Sequence, residues 1–240
     1  MNQRVVSGKI WVLLPLLFLT LFSCRKEIWK SSPPIEKEFN LTGFNKISVT
    51  DNFTITLTKG AAFSVKAIGP VNDVNDIVFS IANNILDIQY DDYINNRPGV
   101  NLVITVPTLV SLNLAGASEA VINGFQDEPH VIRAVLSGAS KCTLNGTGIN
   151  TNIDISGGSS LTVNGITANL YGNISGGGKL HAYGLLSDEV DIDASGGAVA
   201  YVKVSNTLFA AASGGSRIYY KGTPAIKQIE TSGGGQVIQE

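Results

Sequence analysis

The sequence predicts an all-β chain whose main body is a parallel β-solenoid with rungs of about 19 residues, preceded by a less regular β portion. Three observations predict it. A Ser-Gly-Gly-like corner recurs, and with the first Gly of each corner as origin seven copies align at Gly116, Gly138, Gly157, Gly176, Gly196, Gly214 and Gly233, at spacings of 22, 19, 19, 20, 18 and 19. Positions four and two before the origin, and four and six after it, are nearly all apolar, as in Ile153, Ile155, Leu161 and Val163. Side chains alternate faces along a strand, so these columns point inward together. The glycines follow the same frame: seven at the origin, five directly after it, two at the next position and five at a second corner account for 19 of the 26.

A unit this short cannot bury its own apolar face, so it must stack on its neighbours. Stacking repeats each column every ~4.8 Å and merges the inward columns into one core. Proline is absent from Val131 to Thr223, where every backbone N–H is needed in a ladder.

At the N-terminus, Arg4 and Lys9 precede the apolar run "IWVLLPLLFLTLF", Ile10 to Phe22, which is too short and one-sided for an ordinary membrane span. Residues 1–23 therefore read as a signal peptide. It ends in "LFSC", Leu21 to Cys24, which resembles the bacterial lipobox, where the Cys is acylated and becomes the new N-terminus. Cys24 is the expected lipid anchor; each buried methylene holds the chain to the bilayer by ~0.8 kcal/mol. Residues 24–38, with Pro33 and Pro34, then read as an extended tether.

The domain itself is expected over 39–240, irregular over 39–110 and regular over 111–240. In "ISVTDNFTITLTKG" the residues Ile47, Val49, Ile55 and Leu57 occupy inward columns, and Asp51-Asn52 stands in for the Gly-Gly corner, being tolerant of left-handed turns. The stretch "IVFSIANNILDIQYDD" reads as a hairpin turning at Asn83 and Asn84, followed by the strand "NLVITVP". In the regular array the long first interval holds "GFQDEPH", Gly124 to His130, expected to be a small inserted loop. Second corners are expected at Gly124, Gly146, Gly165, Gly184 and Gly222, with Val204 the exception. The last unit puts Thr231 and Gln239 in inward columns, which suits a polar cap on an open end or a cover from another chain.

Composition narrows function. With 44% hydrophobic and 15% charged residues the chain of 240 is globular, and a net charge of −2 offers no case for nucleic acid or other polyanions. Once Cys24 carries lipid only Cys142 remains, so no internal disulfide can form, and Cys142 falls in an inward column. "SGGGK", Ser175 to Lys179, lacks the spacing of a phosphate loop and leads into a strand instead of a helix. The serine before each origin reads as a ladder bonding its own corner, since a nucleophile needs a nearby base and the chain has only His130 and His181. No metal-ligand spacing or cofactor motif is present.

The residues that could carry surface chemistry are Asp154, Asn173, Asp191 and Asp193, on the outward side of the first strand. Asp154 and Asp193 share a column two rungs apart, ~9 to 10 Å, near the upper end of the carboxylate separation of inverting glycosidases.

The stretches "FNKISVTDNFTITLTKG" and "VITVPTLVSLNLAGASEAVINGF", followed by repeated "SGG" corners, resemble the bacterial autotransporter-adhesin head GIN domain family over about Phe39 to Glu240. The resemblance implies a right-handed parallel β-helix, often on an envelope lipoprotein, and carries no catalytic residues. The expected function is then a lipid-anchored cell-envelope protein, an outer-membrane lipoprotein facing either the periplasm or the surface. Its solenoid acts as a non-catalytic adhesin-like binding or structural module. Its partners are the membrane, a glycan or other envelope polymer, and a second copy of itself as an allowed homo-oligomer. The alternative is a carbohydrate-active lyase or hydrolase of pectate-lyase-like type working on the Asp154 and Asp193 face; a third is a periplasmic signalling or scaffold component.

Overall fold

The computed structural model describes residues 32–92, 94 and 97–240. The signal peptide, Cys24 and the first part of the tether lie outside the described residues. The rest of the tether is not a linker: Pro34–Phe39 forms β1. There follow β2 (Lys46–Val49), β3 (Phe53–Lys59), β4 (Ser64–Pro70), the short helix α1 (Val71–Asn75), β5 (Ile77–Ala82), β6 (Ile85–Tyr90) and β7 (Val100–Val106). The array then runs through β8 (Ser111–Leu114), β9 (Glu119–Glu128), β10 (Ile132–Leu136), β11 (Lys141–Gly148) and β12 (Asn150–Ile155). Three long strands, β13 (Ser160–Ile174), β14 (Lys179–Ala194) and β15 (Val199–Ala212), pass through the second corner without a break. The last are β16 (Arg217–Lys221), β17 (Ile226–Thr231) and β18 (Gln236–Gln239).

The strands make two stacks. The segments before each origin pair in parallel as β2, β8, β10, β12, then the ends of β13, β14 and β15, then β17. Those after it pair as β3, β9, β11, the starts of β13, β14 and β15, then β16 and β18. The predicted inward residues Leu112, Leu114, Ile153, Ile155, Leu161, Val163, Leu180, Ile192 and Ile218 are all buried between these stacks. Cys142 joins them, 4% exposed, and burial pushes its thiol up to about 12.

The corners explain the repeat. Every origin Gly has a positive φ, from 58° at Gly233 to 74° at Gly138, and Asp51 takes the same conformation at 71°. From Gly116 to Gly214 the backbone N–H after the origin donates to the corner carbonyl one rung back, as in Ala139 to Gly116 at 2.8 Å and Gly158 to Gly138 at 2.7 Å. A Cβ on Gly157 would stand 2.6 Å from the Gly138 oxygen, so the close approach as well as the left-handed turn requires glycine.

Three details correct the sequence reading. The serines that bond the corner most closely stand two after the origin: Ser118, Ser140, Ser159 and Ser216 are fully buried, and Ser118 Oγ donates to the carbonyls of Asp51 at 2.9 Å and Ala115 at 3.0 Å. Of those one before it, Ser156 Oγ donates to the Leu136 carbonyl one rung back at 3.4 Å. The inserted "GFQDEPH" is a continuation of β9 as far as Glu128, with register shifts against β11. It inserts Phe125 into the core and buries Glu128 beside Lys59, 2.5 Å away. Gly184 does not adopt the left-handed turn of the other second-corner glycines; it faces Asn164, whose Oδ1 would meet a Cβ at 2.0 Å.

The N-terminal portion stacks out of chain order. The unit of β2 and β3 pairs directly with β8 and β9, while on its other side lie β6 and β7. The chain thus adds its first full rung, then builds the end cap, then returns to continue the array. Antiparallel strands close this end: β5 on β6, with Asn83 and Asn84 at φ 52° and 62° in the turn as expected, and β4 on β7 with β1 outermost. The cap is clipped by Arg97, 3.2 Å from Asp73 and 2.5 Å from Asp76, whose guanidinium lies 3.8 Å from the centre of the Tyr90 ring. The opposite end is open. All of β17 is exposed, as are Thr231 and Gln239.

Candidate functional site

Each stack turns one face to the core and one to solvent, so outward residues form files along the axis. On the first stack the register runs Arg133, Asn152, Tyr171, Asp191, Phe209, Gln228 in one file and Val135, Asp154, Asn173, Asp193, Ala211, Glu230 in the next. The sequence reading therefore places Asp154, Asn173 and Asp193 in one file correctly, with Asp191 beside them. The geometry occupies Asp154: Arg133 lies 2.5 Å from it in an ion pair and Asn173 donates to it at 3.1 Å.

Farther along, an open depression of about 350 Å³ is lined by Asn173, Asp193 and Glu230 together with Ser175, Ser195, Ser213 and Ser232. The serines before the origin thus line a surface furrow. A second depression of about 230 Å³ adjoins it at Asp191, Phe209 and Gln228. Burial raises the Asp191 carboxyl above the ordinary range, helped by the charges of Asp193 and Glu189. Among the described residues no group of three or more His, Cys, Asp or Glu side chains could hold a metal ion.

The outer face of the second stack carries features the sequence reading passed over. Asn164 donates to Asn145 and Asn145 to Asn123, each at 2.9 Å, making an amide ladder in the file seven after the origin. The file five after the origin then becomes aromatic: His181 stacks on Tyr201 at 5.2 Å between ring centres, and Tyr201 on Tyr219 at 5.0 Å. A bulge in β14, where Ala182 pairs with Val202 but Leu186 with Lys203, brings Tyr183 edge-on to Tyr201 at 5.4 Å. The Tyr183 hydroxyl donates to Glu240 at 2.8 Å, and burial together with that carboxylate holds its proton well above the ordinary phenol value.

Around these rings stand Lys179, Lys203, Arg217 and Lys221. Lys203 pairs directly with Lys221, whose ammonium lies 4.3 Å from the Tyr183 ring centre. Their signal in the sequence is positional: Lys179 and Arg217 stand three after an origin, Lys203 and Lys221 seven after one. At the second corner Ile149, Ile166 and Leu186 stand exposed, at 56%, 64% and 39%.

A continuous core, hydrogen-bonded corners and outward files repeated at rung spacing define the chain as a parallel β-solenoid that displays two polar faces. The family model described as "Putative auto-transporter adhesin, head GIN domain" matches residues 43–224, and the chain belongs to that family. Among solved structures it is similar to a "putative adhesin" from Bacteroides fragilis, with a TM-score of 0.79, 22% identity, and coverage of 88% of this chain and 98% of that one. A "putative adhesin" from Parabacteroides distasonis gives a TM-score of 0.65 at 18% identity, covering 87% and 98%. A "putative lipid binding protein" from the same organism gives 0.62 at 16%, covering 85% and 96%. At these identities the likeness is one of fold. No curated protein matches the chain.

Proposed function

We propose that this chain is a lipid-anchored cell-envelope protein, held through Cys24, whose solenoid serves as an adhesin-like binding or structural module without catalytic activity. The observation that carries this reading is the display of outward files: groups repeat along the axis at rung spacing, as suits a repetitive partner, instead of converging on one bond. Membership of the head GIN family, with adhesin-named neighbours of the same fold, supports it. The exported N-terminus ending in "LFSC" supports the anchor and an outer-membrane location on either face. A glycan or other envelope polymer is the expected partner class.

The carbohydrate-active alternative is less well supported, because Asp154, one of its two carboxylates, is engaged by Arg133 and Asn173. Two experiments test the proposal. Labelled palmitate should enter the wild type in bacterial cells and not Cys24→Ala; equal incorporation removes the anchor. The protein should leave a panel of acidic polysaccharides intact, and turnover that Asp193→Ala abolishes would make it an enzyme.

A further inference from the structure

We propose that the outer face of the second stack, over its last rungs, is a binding site for an anionic glycan, a polymer bearing carboxylate or sulfate groups. This rests on the binding-module reading and names its partner. On other strands several cations are matched: Lys141 with Glu119, Arg133 with Asp154, Lys59 with Glu128, and Lys66 with Glu36 and Glu38. Lys179, Lys203, Arg217 and Lys221 make no ion pair among the described residues, although all four project from one face. Lys37, Lys46 and Lys227 make no ion pair among the described residues either, but none of them stands opposite another cation across its ladder. Lys203 and Lys221 even stand opposite one another on neighbouring strands, an arrangement that costs stability. A fold able to alternate charges elsewhere keeps like charges together here, which is the mark of a surface kept for a ligand.

The layout fits a linear polyanion. Lys179 and Arg217 lie in the file three after the origin, Lys203 and Lys221 in the file seven after it, and the His181, Tyr201 and Tyr219 rings run between them. Four residues of strand separate the cation files by roughly 13 Å, and each file advances ~4.8 Å per rung. A chain lying along the ring file meets cations on both flanks. The rings face each other, so their rims look outward, and the Tyr201 and Tyr219 hydroxyls can exchange hydrogen bonds with sugar hydroxyls.

The net charge of −2, which argued against polyanions in the sequence, conceals a segregation. Over the same rungs Glu189, Asp191, Asp193 and Glu230 belong to the first stack, across the core from these cations. On the second stack Glu240 stands near them, engaged by the Tyr183 hydroxyl at 2.8 Å. Stacked sheets lie ~10 Å apart, beyond the ~8 Å Debye length of physiological salt, so a ligand on one outer face is shielded from the other.

The test is binding of the full chain, purified in detergent, to immobilised polygalacturonate and chondroitin sulfate, with dextran as the neutral control. Saturable, salt-sensitive binding to either anionic glycan and none to dextran is expected. It should weaken at least about tenfold in Lys203→Gln/Lys221→Gln while the melting temperature holds or rises. Equal binding to dextran, or an unaffected double variant, overturns the assignment, as does equal affinity for single-stranded DNA. Salt-sensitive self-association in sedimentation, lost in the same variant, would assign the face to a second copy instead. Failure of glycan binding with palmitate still entering Cys24 rejects this site alone and leaves the anchored-module reading standing.

Discussion

The Cδ1 methyl of Ile192 occupies the space beside Gly172, 2.7 Å from where a Cβ on that glycine would stand. Gly172 is an inward-column residue with no side chain, and Ile192, one rung on, fills the room it leaves. The core is therefore packed by complementary sizes between rungs, as close-packed interiors require.

Gly172→Val is expected to destabilise the chain despite adding apolar volume at a buried site. The branched side chain must displace Ile192 within a packed stack, a change that costs about 1–3 kcal/mol. Thermal or urea unfolding measures it, and the double variant Gly172→Val/Ile192→Ala should recover part of the loss. A stability equal to wild type in the single variant would show that the core has slack at this rung.

Two adjacent corner glycines should respond very differently to alanine. Gly157 has φ +68° and a Cβ position 2.6 Å from the Gly138 carbonyl oxygen, whereas a Cβ on Gly158 would rest 3.7 Å from that oxygen. Gly157→Ala carries about 1–2 kcal/mol from the left-handed backbone alone, and the backbone clash adds to it. Gly158→Ala should be close to neutral. Equal melting temperatures for the two variants would contradict the corner geometry.

This contrast also shows what the sequence could and could not reveal. The origin column was legible because left-handed corners select glycine, and Asp51 could be placed in it because aspartate tolerates the same turn. Cys142 and the Asn83-Asn84 hairpin were legible for equally local reasons, an alternation and a turn. The stacking of β2 on β8 past the intervening residues 50–110 was not, because a strand's pattern states which face is buried and not which edge it joins. Ser118, Ser140 and Ser216 were missed because a serine that bonds a backbone carbonyl in the core reads as polar in a sequence. Of the candidate site, the Asp154, Asn173 and Asp193 file was read correctly, while the cations of the second stack needed its outward columns to be aligned as well.

Asp191 supplies a pH prediction. Its carboxyl is raised by burial first and by Asp193 and Glu189 after it, so the folded chain holds that proton more tightly than the unfolded chain does. Stability from this group therefore falls as pH climbs from the ordinary Asp value of 3.8 through the raised one. Asp191→Asn should be slightly more stable than wild type at pH 7, by no more than ~0.5 kcal/mol because solvent reaches the group. The advantage should vanish below the ordinary value, where the carboxyl is neutral in both states. Melting curves across pH check this, and a variant less stable than wild type at pH 7 would mean that the carboxylate makes a favourable contact.

Lys203 offers a test in which stability and binding should move in opposite directions. Its neighbour across the ladder is Lys221, so Lys203→Glu replaces a like-charge pair with an opposite-charge pair on adjacent strands. Cross-strand pairs of this kind contribute ~0.2–1 kcal/mol, and the variant should melt higher than wild type at low salt, with the gain shrinking as salt is added. The same substitution puts a carboxylate in the middle of the cation files and should weaken capture of polygalacturonate. A residue present only for the fold would give a loss of both or a change in neither; a stabilised protein with a weakened grip is the outcome expected of a charge kept for a ligand at the expense of the ladder.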